Sequence, residues 1–198
     1  MASNTRLGLL PGILLWIALV IATAVPLAAA LMSPLLEWRS PVYILAGFSG
    51  VLALCLLLYQ PLLARGFVPG FQAARGRTLH RWVGAALIVS VIVHVAGLWI
   101  TSPPDVVDAL LFVSATPFSV WGVIAMWALF ASGCLAALRL RVRIRPRHWR
   151  LIHKALAFVI VTGSIVHAWM IEGTMEVWSK SVLCMLIGLV SGVAFFYR

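Results

Sequence analysis

Apolar residues run through this chain in six long blocks separated by short polar or proline-bearing breaks. A helix crosses a hydrocarbon core of about 30 Å with roughly 20 such residues, and the pattern predicts six spans at 7–32, 43–64, 82–100, 118–138, 151–171 and 177–197. The longest breaks, 65–81 and 101–117, are too short for a second folded unit. The expectation is therefore an all-α integral membrane protein, with 1–198 forming one transmembrane domain built as a six-helix bundle. The first block is longer than a signal-peptide core and shows no clear small-residue cleavage site, so it is read as a true helix although Arg6 precedes it.

Composition supports the membrane reading: 63% of the 198 residues are hydrophobic, 10% are charged, and the mean hydropathy is +1.07. A water-soluble domain with a polar exterior cannot have these values. The net charge of +10 does not point to nucleic acid, because the bases border the apolar blocks. With the N-terminus in the cytoplasm, thirteen of the fifteen Lys and Arg fall inside and only Arg39 and Lys180 outside. The acids Glu37, Asp105, Asp108, Glu172 and Glu176 also fall outside. Both termini are thus expected on the cytoplasmic side, with lipid as the general partner. Cys55, Cys134 and Cys184 stand singly, without CxxC or CxxCH, so neither a disulfide framework nor covalent haem attachment is indicated.

The chemistry lies in a repeat. LHRWVGAALIVSVIVH, ending at His94, and IHKALAFVIVTGSIVH, ending at His167, share H-[R/K]-x10-I-V-H, with each histidine offset by 73 residues. Fourteen helical residues turn back to within about 40° and advance about 21 Å. The third and fifth spans run the same way, so His80 is expected to meet His153 near the cytoplasmic surface and His94 to meet His167 in the outer half. Zinc needs three or four protein ligands, and neither level offers a nearby Cys, Asp or Glu. Haem needs only axial ligands. Two bis-histidine b-type haems between the third and fifth spans are the predicted cofactors. Gly84, Ala157 and Ser164 on the ligand faces, and Gly97 just beyond His94, would leave room for the flat rings. Leu87, Val91 and Ile160 would fill the gap between levels.

Arg77, Arg81 and Arg150, with Lys154 and Arg147 nearby, surround the inner level, where they would meet propionates as well as set topology. His148 falls outside the repeat and is given no ligand role. Trp99, Trp121, Trp169 and Trp178 read as interfacial anchors, one of them edging the outer level. The basic run Arg139 to Arg150 would hold anionic lipid or dock an acidic donor. Ser102 to Phe118 contains a candidate interfacial helix over the outer level, a place for a partner or a plain cover.

The stretches GRTLHRWVG with His94, and RHWRLIHK with His167, resemble the ferric reductase-like transmembrane family. The resemblance spans the chain in helix count and ligand placement, though its motifs are short. It implies that His80, His94, His153 and His167 are axial haem ligands and that the chain moves electrons across a membrane, as the haem subunit of a reductase system in the bacterial inner membrane. Larger members carry a C-terminal flavin and nicotinamide domain, whereas this sequence stops at Arg198. The expected donor is therefore a separate flavoprotein or a quinol, and the expected acceptor a periplasmic reductase or small molecule. Two rivals share the histidine pattern: a quinol- or ascorbate-linked six-helix cytochrome b, and a transporter whose histidines form a proton or metal path.

Overall fold

The computed structural model describes residues 3–71, 73–139, 141 and 143–196. The helices are α1 Ser3–Leu31, α2 Pro41–Arg65, α3 Ala73–Thr101, α4 Pro103–Leu110, α5 Pro117–Leu138, α6 Pro146–Met170 and α7 Val177–Phe196, with a 3-10 turn at Pro34–Leu36. Among the described residues there is no strand. All the α-helices except α4 are long and apolar enough to cross a membrane, six in all, and the chain is an integral membrane protein. The predicted end of the last span at Tyr197, and Arg198, lie outside the described residues.

Two helices begin well before their apolar blocks: α3 at Ala73 rather than 82, and α6 at Pro146 rather than 151. Apolar length marks only the part of a helix that sits in hydrocarbon. Arginine is a good helix former, so the basic turns carrying Arg75, Arg77, Arg147 and Arg150 continue each helix into the interface. Prolines set several starts. Pro41, Pro103, Pro117 and Pro146 each open a helix, where a missing N–H costs nothing. At the other end of α2, Gly66 adopts φ 69° and Phe67 N–H donates to Leu62 O at 2.9 Å, a left-handed cap that stops the helix.

The extended starts fix the register of the repeat. His80 and His153 are each the eighth residue of their helix, and His94 and His167 each the twenty-second. The segment 102–118 contains one short helix, α4.

The bundle is a ring in which α2 packs on α3, α3 on α5, α5 on α6, α6 on α7 and α7 back on α2, with α1 outside against α2 and α7. The helices bearing the histidines, α3 and α6, face each other across the ring and make at most marginal backbone contact. Leu58 and Leu62 of α2, Leu87 of α3, Leu129 of α5, Ile160 of α6 and Leu183 and Ile187 of α7 form one buried cluster. Large apolar side chains such as Leu31, Trp82, Phe158 and Leu189 face outward, as lipid allows and water does not. α2 is the most enclosed helix, with 44% of its central window buried against 17% for α3 and α6.

Arg65 at the end of α2 donates from Nε to Ala194 O at 2.8 Å, tying α2 to the end of α7. The α2–α3 and α5–α6 connections lie at one end of the ring, which carries the described arginines other than Arg39. The opposite end carries all five acids. There Glu176 caps α7, its carboxylate accepting from Ser179 N and Trp178 N at 2.8 Å each. Those bonds hold its carboxyl below the usual carboxylate range.

Candidate functional site

At the basic end the ring centres of His80 and His153 stand 6.3 Å apart with their planes 81° from parallel. Toward the acidic end His94 lies within electrostatic reach of His167. The structure thus sets His80 beside His153 at one level, and places His94 and His167 at the same depth on their helices, each one the twenty-second residue. Among the described residues no group of three or more His, Cys, Asp and Glu forms, so each level offers two imidazoles and no third ligand type.

Each imidazole is held from outside the pair. His80 Nδ1–H donates to Gln60 O at 3.1 Å and His94 Nδ1–H to Ala46 O at 2.8 Å, both on α2. On α5, Phe118 O accepts from His167 Nδ1–H at 2.9 Å, and the Ser132 hydroxyl pairs with His153 Nδ1 at 3.0 Å. A carbonyl can only accept, so at three of the four rings the proton sits on Nδ1 and the lone pair on Nε2. A second group that fixes tautomer and ring direction in this way is the usual arrangement around a metal-ligating histidine.

These holding residues repeat as well. Ala46 and Gln60 on α2 correspond to Phe118 and Ser132 on α5, offset by 72 residues. So do Gly50 and Gly122. A Cβ on Gly50 would stand 2.9 Å from His94 Nδ1, and one on Gly122 would stand 2.6 Å from His167 Nδ1. Only the absence of a side chain lets these two rings lie against α2 and α5. The α2–α3 and α5–α6 hairpins are therefore two copies of one unit, each clamping its own pair of histidines.

The small residues predicted to make room divide. Gly84 faces Gln60, where a Cβ would be 3.6 Å from the side-chain nitrogen. Gly97 faces α2, where a Cβ would meet Ala46 Cβ at 2.7 Å and Val42 O at 3.3 Å. Gly97 thus seats α3 on α2. Ala157 and Ser164 are half-buried on α6. Leu87 and Ile160 are buried between the levels, with Val91 packed against them. Arg77, Arg81, Arg147, Arg150, His148 and Lys154 are exposed at the basic end, and Arg81 reaches Thr78 Oγ1 at 3.4 Å. Trp99, Trp121, Trp169 and Trp178 are all exposed, as interfacial anchors are.

The basic level has further furniture that the histidine pattern did not reveal. Trp149 lies parallel on the His153 ring, with centres 5.1 Å apart, and the Arg139 guanidinium lies 5.0 Å from the centre of the Trp149 ring. Trp149 Nε1 and Gln60 Nε2 are buried donors without a partner, one beside each imidazole of the pair. A buried donor without a partner is costly, so these two groups have hydrogen-bonding capacity left over at this level.

In comparison with known families, residues 48–164 fit the family described as "Ferric reductase like transmembrane component". The match covers 117 of the 198 residues, includes His80, His94 and His153, and ends three residues before His167. No curated protein and no solved structure matches the chain.

Proposed function

The chain belongs to the ferric reductase-like transmembrane family, and from that premise we propose that it is a two-haem b-type cytochrome, the membrane electron-transfer component of a reductase system. Electrons pass from a flavoprotein or quinol at the basic, cytoplasmic end to a reductase or small-molecule acceptor at the acidic, outer end. The observation that carries this reading is the paired imidazoles at two depths, each held through Nδ1 so that Nε2 is left to ligate. The spacing supports it. The ring centres of His80 and His153, 6.3 Å apart, would leave space for one metal atom between them, given metal–nitrogen bonds of about 2 Å.

With two imidazoles per level and no third ligand, a bare ion would be under-coordinated, whereas a tetrapyrrole brings its own four nitrogens. Bound haem would supply one-electron exchange at iron. The residues of the chain do the rest. His80 and His153 hold the basic level, His94 and His167 hold the acidic level, and Leu87 and Ile160 exclude water between them. Arg77, Arg81 and Arg150 favour carboxylates at the basic surface.

The direct experiment is haem stoichiometry with an optical spectrum of the purified protein. Two haems per chain with low-spin bis-histidine bands are expected, and colourless protein would overturn the proposal.

Ser132 gives a second prediction, because it is the one holding group that is a side chain. Replacement by alanine leaves His153 Nδ1 without its hydrogen-bond partner and the ring less firmly oriented. Haem affinity at the basic level should fall about 10- to 100-fold, with the acidic level unchanged. Ser132→Thr keeps the hydroxyl and should restore it. Haem titration followed at the two sets of bands checks both.

A further inference from the structure

Lys180 is 6% exposed, while every acid in the chain is exposed. It belongs to the buried stripe of α7, with Leu183, Cys184, Ile187 and Ser191. This i, i+3, i+4, i+7, i+11 face is the one α7 turns to the bundle. Its Nζ donates to Ile171 O at 2.6 Å. Ile171 caps α6 four residues beyond His167, about 6 Å further toward the acidic end. The ammonium therefore stands at the C-terminus of α6, about one turn beyond His167.

Its position calls for an anion. An ammonium has three donors, and the α6 C-terminus takes one, with some help from the helix dipole. Among the described residues no carboxylate stands at ion-pair distance from it, and Glu176 acts on it only from within electrostatic reach. Glu176, four residues earlier, is fully exposed and uses both oxygens on Trp178 N and Ser179 N. A buried ammonium whose one direct bond is to a neutral carbonyl is left with donors to satisfy, and a buried cation in a membrane protein is a functional-site candidate.

We propose that Lys180 binds a carboxylate of the haem at the acidic level, acting as a cofactor-binding cation supplied by α7, a helix that carries none of the histidines. The inference rests on the two-haem reading. It adds a third helix to the acidic site and gives the basic end, with its exposed arginines, a single buried counterpart at the acidic end.

Redox titration of purified wild type, K180Q and K180R tests it. Removing the cation disfavours the reduced, more electron-rich haem. In K180Q both haems should remain, and only the transition that disappears in a His94→Ala protein should shift to lower potential. K180R keeps the charge and should titrate like wild type. If K180Q fails to accumulate, resonance Raman spectra of K180R in a His80→Ala background, which should hold the acidic-level haem alone, provide the readout. A guanidinium in place of an ammonium should move the propionate-bending band. Two haems with unshifted transitions in K180Q, or an unmoved band in K180R, would overturn the Lys180 assignment while leaving the two-haem reading intact. Wild type without haem would remove both.

Discussion

Alanine at His94 or at His167 should abolish one of the two low-spin haem signals and leave the other at full strength. The levels are about 21 Å apart along the helices, and no holding residue serves both: Ala46 and Phe118 serve one level, Gln60 and Ser132 the other. If these histidines ligate haem, loss of one is therefore a local event. The pairing follows from double replacements. His94→Ala with His167→Ala should resemble either single variant, because both remove the same site. His94→Ala with His153→Ala should yield colourless protein, because one ligand is lost from each level. Haem content per chain should read about one in the first case and about zero in the second, by pyridine haemochrome assay. The reverse pattern would mean that ligands pair across levels, which the 6.3 Å approach of His80 to His153 argues against. Full haem content in every single variant would return the histidines to a polar path of the kind a transporter uses.

The spans and the four histidines were legible because both leave marks in side-chain chemistry: long apolar blocks, and H-[R/K]-x10-I-V-H written twice. The residues that hold the histidines were not. Ala46, Gln60 and Phe118 act through backbone carbonyls, which every residue type has. Gly50 and Gly122 read as ordinary small residues of helix packing. Their repeat was hidden too, since α2 and α5 are offset by 72 residues but α3 and α6 by 73, because the second hairpin has one more residue between its holding helix and its histidine helix than the first. Gly97 looked like space on the histidine side, yet one helical turn also brings a residue round to the flank that meets α2. Lys180 carried only a topological meaning in the sequence. Its burial appears once α7 closes the ring.

The glycine against each acidic-level imidazole should prove nearly as sensitive as the ligand itself. A Cβ on Gly122 would lie 2.6 Å from His167 Nδ1 and 2.7 Å from Cε1, well inside van der Waals contact. The ring has no flexible end to withdraw, and its Nδ1 is bonded to Phe118 O, one turn earlier on the same helix. Gly122→Ala must therefore swing the imidazole off that carbonyl and turn Nε2 away from the gap. Losing the holding bond alone costs about 10- to 100-fold in metal affinity, and the misdirected ring adds to it, so the acidic-level haem should be largely absent. Gly50→Ala meets His94 less closely, at 2.9 and 3.0 Å, and should lower occupancy of the same level by less. Gly192 of α7 supplies the control, since a Cβ there meets nothing within 4 Å. Alanine is a better helix former by about 1 kcal/mol, so Gly192→Ala should keep both haems and unfold no earlier than wild type. The order Gly122 worst, Gly50 intermediate and Gly192 neutral is set by three distances to the added methyl. Equal haem loss in all three would mean that general helix packing, and not the seating of the imidazoles, governs occupancy.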